Sequence, residues 1–126
     1  GGDVVMHMLS RTSVHAAVLG APAPLTYLGG RNRATINREL ALSNIKSVAT
    51  PILILAGTKD SLLDLDQGLH DLLAEQGKTV RMEVYENGYH DFCIGPQGQK
   101  REEPLLDSTL AALESTLKFV RKPAGP

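Results

Sequence analysis

Two short apolar segments, each followed by a turn with one titratable residue, constrain this chain more than any other feature. The first segment, residues 51–56, is rich in Ile and Leu, and Asp60 follows it. A short apolar run bounded by Pro and Gly is typical of a strand that is buried on both faces. The second segment, residues 79–85, alternates apolar and polar residues as a half-buried strand does, and His90 follows it.

The residues between these two strands predict a helix from Leu62 to Gln76, which Gly77 ends. Its apolar face consists of Leu62, Leu65, Leu69, Leu72 and Leu73. A strand, a helix and a second strand in this order predict a parallel pair, whose carboxyl ends lie at one edge of the sheet. Open α/β sheets bind their ligands at that edge. Asp60 and His90 are therefore predicted to lie on adjacent loops, an acid and a base within reach of each other.

The flanking sequence extends the same pattern. Residues 14–19 predict a third strand, preceded by a short helix from Asp3 to Leu9, and a further helix is expected from about Thr35 to Ser43. After a polar loop at residues 95–100, Pro104 suits the first turn of a long helix. Its buried face is predicted to be the stripe of Leu106, Leu110, Leu113, Leu117 and Val120. We therefore expect an α/β fold, a parallel sheet flanked by helices, in one domain or part of one.

Composition excludes several classes of protein. A formal net charge of −1 argues against a protein that binds nucleic acid or an acidic membrane surface, because contacts with phosphates need a basic face. The single cysteine, Cys93, excludes an internal disulfide and a cysteine-based zinc site. No apolar run is long enough to cross a bilayer. We expect no cofactor, no metal and a cytoplasmic location.

The two loop segments resemble those of the α/β-hydrolase superfamily, and in particular the prolyl oligopeptidase-type catalytic domain and the dienelactone hydrolases. The resemblance lies in Gly57-Thr58-Lys59-Asp60 and in Tyr85-Glu86-Asn87-Gly88-Tyr89-His90. It implies that Asp60 is the acid and His90 the base of a Ser-Asp-His triad, which cleaves an ester or a peptide bond through an acyl-enzyme. The chain departs from the family at Asp91, where a glycine commonly follows the histidine.

The resemblance also implies where the nucleophile lies. In this fold the serine occupies a Gly-x-Ser-x-Gly turn between a strand and a helix, and Gly1-Gly2 match the end of that motif. Residues 1–126 are then the carboxyl-terminal portion of a single catalytic domain, with the nucleophile before Gly1. The isolated chain is expected to be inactive, and to self-associate through the exposed edge of the strand at residues 14–19.

Other residues compete for these roles. The rival acids are Asp64, Asp66 and Asp91. The first two fall inside the predicted helix, and the third is adjacent to His90 and poorly placed to bridge its ring. Dienelactone hydrolases use a cysteine nucleophile, but Cys93 follows His90 on the same loop instead of occupying a strand-to-helix turn. The remaining histidines, His7, His15 and His70, lack the spacing of a metal site.

Some alternatives stay open. Tyr27 and Leu28, in a Pro- and Gly-rich loop that overhangs the site in the family, either line the substrate pocket or anchor the loop. The basic residues Arg31, Arg33 and Arg38 either bind a carboxylate or form a solvated helix face. The function is either hydrolysis of a small ester or peptide, or ligand binding by a non-catalytic hydrolase-like domain. Retention of both Asp60 and His90 favours the enzyme, without separating peptidase from esterase.

Overall fold

A computed structural model describes residues 2–25, 27–29, 37–90 and 103–123, except for the side chains of residues 103–106 and 108. Helices and strands alternate along most of this length. Their order is α1 (Gly2–Leu9), β1 (Ala17–Gly20), α2 (Arg38–Ile45), β2 (Ile52–Gly57), α3 (Leu63–Glu75), β3 (Val80–Tyr85) and α4 (Glu103–Arg121). None of the described helices is both long enough and apolar enough to cross a membrane.

The three strands form a parallel sheet in the order β1-β2-β3, which confirms the predicted fold class. All six residues of the central strand, β2, are buried, as its apolar sequence predicts. The ends of β2 and β3 are level, because Gly57 pairs with Tyr85 in the register. Residues that follow these two strands therefore leave the sheet side by side.

The two faces of β2 belong to two separate apolar clusters, since successive side chains of a strand point to opposite faces. Ile52 and Ile54 pack in the larger cluster, with buried residues of α1, α2 and α3. Leu53 and Leu55 pack in the smaller cluster, under α4. Burial of each such side chain stabilises the fold by about 1.5–3 kcal/mol. The sheet is therefore covered by helices on both faces.

Most predicted elements match the observed ones to within one residue at each end, and two differ by more than that. The strand expected at residues 14–19 begins only at Ala17, and Val14 lies outside it, where its N–H donates to Thr50 Oγ1 at 3.0 Å. The helix expected from Thr35 to Ser43 begins at Arg38 and extends to Ile45, while its predicted first residues lie outside the described part of the chain. Its beginning is fixed by Asn37, whose side chain accepts from the Leu40 N–H at 3.0 Å and caps the helix.

The predicted buried face of α4 is wrong. Leu110, Leu113, Leu117 and Val120 are 57%, 55%, 53% and 44% exposed, and the side chain of Leu106 lies outside the described part of the structure. Ala112 and Phe119 are buried against the sheet instead. They lie seven residues apart, two helical turns along one line of the helix, and the small Ala112 allows a close approach to β2. Periodicity predicts an apolar stripe, but the position of the sheet determines which stripe is covered.

Candidate active site

The loops after β2 and β3 are joined by their backbones. The Thr58 N–H donates to Tyr85 O at 3.0 Å, and the Lys59 N–H donates to Gly88 O at 2.9 Å. In the other direction, the Asn87 N–H donates to Thr58 Oγ1 at 2.8 Å. These bonds satisfy backbone groups that the strand ends leave unpaired. The two loops thus form one small, cross-linked platform at the carboxyl edge of the sheet.

Two residues of this platform need particular backbone properties. A β-carbon on Gly57 would overlap the backbone of Gly88, so a glycine is required for this close approach. Asn87 adopts a φ of 64°, in the left-handed region that asparagine tolerates better than most residues. The Asn-Gly turn begins two residues after the end of β3 and leads the chain to His90.

Asp60 and His90 are in contact on this platform. Asp60 Oδ2 lies 2.9 Å from His90 Nδ1, and Asp60 Oδ1 accepts from the Leu62 N–H at 2.8 Å. The side chain of Asp60 is fully buried, whereas that of His90 is 44% exposed. Both carboxylate oxygens are therefore engaged, Nδ1 of the imidazole contacts one of them, and part of the ring faces solvent.

This arrangement has a definite chemical consequence. A carboxylate that accepts from Nδ1–H stabilises the tautomer in which Nε2 has the lone pair. It also stabilises the imidazolium that forms when Nε2 takes up a proton. The pair can therefore act as a general base with its orienting acid, provided that a nucleophile lies next to the histidine.

Asp64 and Asp66, the rival acids on α3, have contrasting environments. Asp64 is exposed on the helix surface. Asp66 is 0% exposed, and its Oδ1 accepts from the Ala23 N–H at 2.6 Å. Among the described residues its Oδ2 has no hydrogen-bond partner. Asp91 and Cys93, the other rivals near His90, lie outside the described residues.

The pKa of Asp66 is raised to about 6, mainly because burial disfavours the charged carboxylate. The Ala23 hydrogen bond lowers it, negative Asp60 raises it and positive His90 lowers it. A fully buried carboxyl that responds to both members of the pair is a feature that the sequence interpretation missed. A signal was present, because Asp66 lies three and seven residues before Leu69 and Leu73, on the buried face of α3.

Tyr27 and Leu28, the candidate pocket residues, anchor their loop in the core. They are 0% and 2% exposed. The Tyr27 hydroxyl lies 2.8 Å from Ser10 Oγ. The backbone N–H of Tyr27 donates to Asp3 Oδ1 at 2.8 Å. Burial raises the pKa of the Tyr27 hydroxyl. The structure therefore favours the anchoring role over the pocket-lining role.

The basic cluster is described only at Arg38, because Arg31 and Arg33 lie outside the described residues. Arg38 Nη2 donates to Glu75 Oε2 at 2.7 Å, and the two side chains are 59% and 53% exposed. A surface pair of this kind contributes little to stability. For Arg38, the interpretation as part of a solvated face is favoured.

The other three histidines have separate partners. The His7 ring lies edge-on to Tyr27, with ring centroids 5.2 Å apart. His15 Nε2 lies 2.8 Å from Val120 O, and His70 Nδ1 lies 2.9 Å from Asp71 Oδ1. In the part of the chain that the structure describes, no three histidine, cysteine or acidic residues group as metal ligands would.

Comparison with solved structures finds the same fold in two hydrolases. A Klebsiella pneumoniae protein named as a dienelactone hydrolase superposes with a TM-score of 0.63 at 17% identity, over 97% of this chain and 48% of its own. The acylaminoacyl peptidase of Pyrococcus horikoshii superposes with a TM-score of 0.66 at 18% identity, over 96% of this chain and 22% of its own. The chain thus spans about half of the first protein and a smaller share of the second.

A search among curated protein sequences finds no match. A family model gives the assignment instead, because the model of the dienelactone hydrolase family matches residues 1–120. That match covers nearly the whole chain, and the α/β-hydrolase fold of the two structural neighbours agrees with it. The chain belongs to the dienelactone hydrolase family.

Proposed function

We propose that this chain provides the acid and the base of a serine hydrolase, which cleaves an ester or a peptide bond through an acyl-enzyme. One observation supports the proposal above the others. His90 Nδ1 lies 2.9 Å from Asp60 Oδ2, with the carboxylate fully buried and the imidazole partly exposed. An orienting acid is best buried and a general base must reach the substrate. A family of hydrolases provides the context for such a pair.

Each residue has a definite role in this mechanism. His90 Nε2 accepts the proton of the serine hydroxyl as the serine oxygen attacks the substrate carbonyl. It then gives that proton to the departing alcohol or amine. Asp60 holds Nδ1 and stabilises the imidazolium between the two steps. A water molecule, activated by the same histidine, then hydrolyses the acyl-enzyme.

The nucleophile in this proposal precedes Gly1. The close approach at the beginning of α1 supports it, because a β-carbon on Gly2 would overlap Pro22, as expected for a tightly packed turn into the helix. The chain's own serines with described side-chain bonds are engaged elsewhere. Ser10 Oγ donates to Met6 O at 3.1 Å, and Ser47 Oγ donates to Ser10 O at 2.6 Å.

A cysteine at the same upstream position is the second candidate, and the match to the dienelactone hydrolase family favours it. A thiolate needs less activation than a serine hydroxyl, but it uses the same His90 and Asp60. The two candidates differ in the reagent that labels the enzyme. A fluorophosphonate reacts with an activated serine, and an alkylating agent reacts with an activated cysteine.

Labelling tests where the nucleophile lies. The 126-residue chain alone is expected not to react with a fluorophosphonate, because none of its serines occupies a Gly-x-Ser-x-Gly turn. The longer protein is expected to be labelled at the residue two positions before Gly1. Stoichiometric labelling of the isolated chain on one of its own serines would overturn the proposal.

A further inference from the structure

The residues that directly follow β1, the β1–α2 loop (residues 21–25), leave the sheet at the edge where Asp60 and His90 lie. On one side its Pro22 is in close contact with Gly2, at the beginning of α1. On the other side the loop is bonded to α3. The loop therefore bridges the helix that begins near Gly1 and the helix that follows Asp60.

The backbone of this loop is strained at two alanines. Ala21 has a φ of 45° and Ala23 a φ of 39°, in the region that favours glycine. Such conformations persist where surrounding contacts impose them, and they are concentrated at functional sites. At Ala21 the contact is the bond from its N–H to Leu55 O, at 2.8 Å. At Ala23 it is the bond from its N–H to Asp66 Oδ1, at 2.6 Å.

A buried carboxyl such as that of Asp66 is unfavourable for the stability of the fold. It is 0% exposed, and its Oδ2 has no hydrogen-bond partner among the described residues. Its neighbours on the buried face of α3 are Leu69 and Leu73, so a leucine would suit the helix better. Burying a carboxyl without full hydrogen bonding destabilises a fold. The hydrogen bond from the Ala23 N–H is a contact that a leucine at this position could not make.

We propose that Asp66 is a positioning residue, which holds the β1–α2 loop beside the Asp60–His90 pair through its bond to the Ala23 N–H and so fixes one wall of the substrate pocket. This inference rests on the proposed hydrolase function. The geometry for this role is that Asp66 lies in the first turn of α3, the helix that follows Asp60, and that Ala23 lies in the loop that follows β1, at the same edge of the parallel sheet.

The bond to Ala23 requires an acceptor at Oδ1 and no charge. An asparagine keeps that acceptor, and it also resembles the protonated carboxyl. A leucine removes the acceptor but fits the apolar face of α3, so the variant is expected to fold. The pair Asp66→Asn and Asp66→Leu therefore separates the hydrogen bond from the charge and from folding.

The test measures kcat and KM of these two variants in the longer, active protein with a small ester substrate. Asp66→Leu is expected to raise KM by about tenfold with a smaller change in kcat, since a lost buried hydrogen bond weakens binding by that order. The KM and kcat of Asp66→Asn are expected to stay within about twofold of the wild-type values. An unchanged KM in Asp66→Leu, or an equal rise in Asp66→Asn, would overturn the inference.

A second substitution tests the strain directly. Ala23→Gly in the Asp66→Leu background is expected to restore much of the KM, because glycine adopts a positive φ without a steric penalty. A merely structural role of Asp66 would not produce this rescue. If Ala23→Gly fails to lower the KM of Asp66→Leu, Asp66 does not position the β1–α2 loop.

Amide hydrogen exchange at Ala23 separates this inference from the proposed function. Exchange is expected to be faster in Asp66→Leu and unchanged in Asp66→Asn, whether or not the protein hydrolyses esters. Slow exchange in Asp66→Leu overturns the inference alone. Absence of hydrolysis by the longer wild-type protein, together with fast exchange in Asp66→Leu, overturns the proposed function and leaves the loop contact established.

Discussion

Gly57 lies so close to the backbone of Gly88 that a β-carbon at residue 57 would overlap it. This approach brings the loop after β2 against the loop after β3. The same two loops contain Asp60 and His90, whose Oδ2 and Nδ1 lie 2.9 Å apart. We therefore expect the contact between the two glycines to control the alignment of the acid and the base.

Replacing Gly57 by alanine should separate the two loops. The overlap involves backbone atoms, which cannot rotate away as a side chain can, so Asp60 and His90 are expected to lose their alignment. A displacement of about 1 Å near a catalytic group can reduce activity about 100-fold. We expect a loss of that order in kcat/KM of the longer protein, measured with an ester substrate.

Gly68→Ala is the matched control for Gly57→Ala. A β-carbon on Gly68 meets nothing within 4 Å, and this residue lies inside α3. Alanine should leave activity unchanged and stabilise the helix by up to about 1 kcal/mol. Wild-type activity in Gly57→Ala would contradict the role assigned to the loop contact.

Asp60→Asn should reduce kcat by about three to four orders of magnitude, because an amide favours the wrong histidine tautomer. The control is Asp64→Asn, four residues further along the chain and exposed on α3. Steady-state kinetics of the two variants should differ sharply. If both variants retain similar activity, Asp60 is not the acid.

Asp66 should make the stability of the protein depend on pH. The pKa of its carboxyl is about 6 in the folded protein, raised by burial from an ordinary value of 3.8. Between these values the folded state holds a proton that the unfolded state has lost, so stability falls as the pH rises. A shift of this size lowers the free energy of unfolding by about 3 kcal/mol, and the whole of this loss is present above about pH 6.

Asp66→Asn removes this titration. We expect the variant to be more stable than wild type at about pH 7 and to show a weaker dependence on pH between about 4 and 6. Urea unfolding across that range measures both effects. Asp64→Asn, which changes an exposed carboxylate, should keep most of the wild-type slope. An equal slope in wild type and Asp66→Asn would show that Asp66 does not titrate there.

The packing of α4 gives a prediction about stability. Phe119 is 2% exposed against the sheet, whereas Leu113 is 55% exposed. Phe119→Ala is expected to cost about 3 kcal/mol or more in the free energy of unfolding, because it leaves a cavity under the helix. Leu113→Ala should change it by about 0.5 kcal/mol or less. Equal losses in urea unfolding would restore the leucine stripe as the buried face.

The features that the sequence predicts correctly are local or follow from topology. The apolar run of β2 and the turn residues beyond it predict a buried strand followed by Asp60. The helix between the strands makes β2 and β3 parallel, which brings Asp60 and His90 to one edge. The sheet and the contact between the two residues could therefore be predicted before any coordinates.

The features that the sequence does not predict depend on how one helix, strand or loop packs against another that is distant in the chain. The heptad-like leucines of α4 form a stripe, but the sheet covers the line of Ala112 and Phe119 instead. The position of Asp66 inside a helix argues against it as the triad acid, but its spacing from Leu69 places it on the buried face of α3. Its bond to Ala23 joins residues 43 positions apart, a contact that no local pattern indicates.

The central claim is that His90 is the general base, and His90→Ala tests it most directly. The measurement is kcat of the longer protein on its best ester substrate, with urea unfolding alongside. His70→Ala is the control, because that ring contacts Asp71 and not Asp60. Since the His90 side chain is 44% exposed, its loss should change stability little while kcat falls by several orders of magnitude. Retention of more than about a tenth of the wild-type kcat would contradict the assignment.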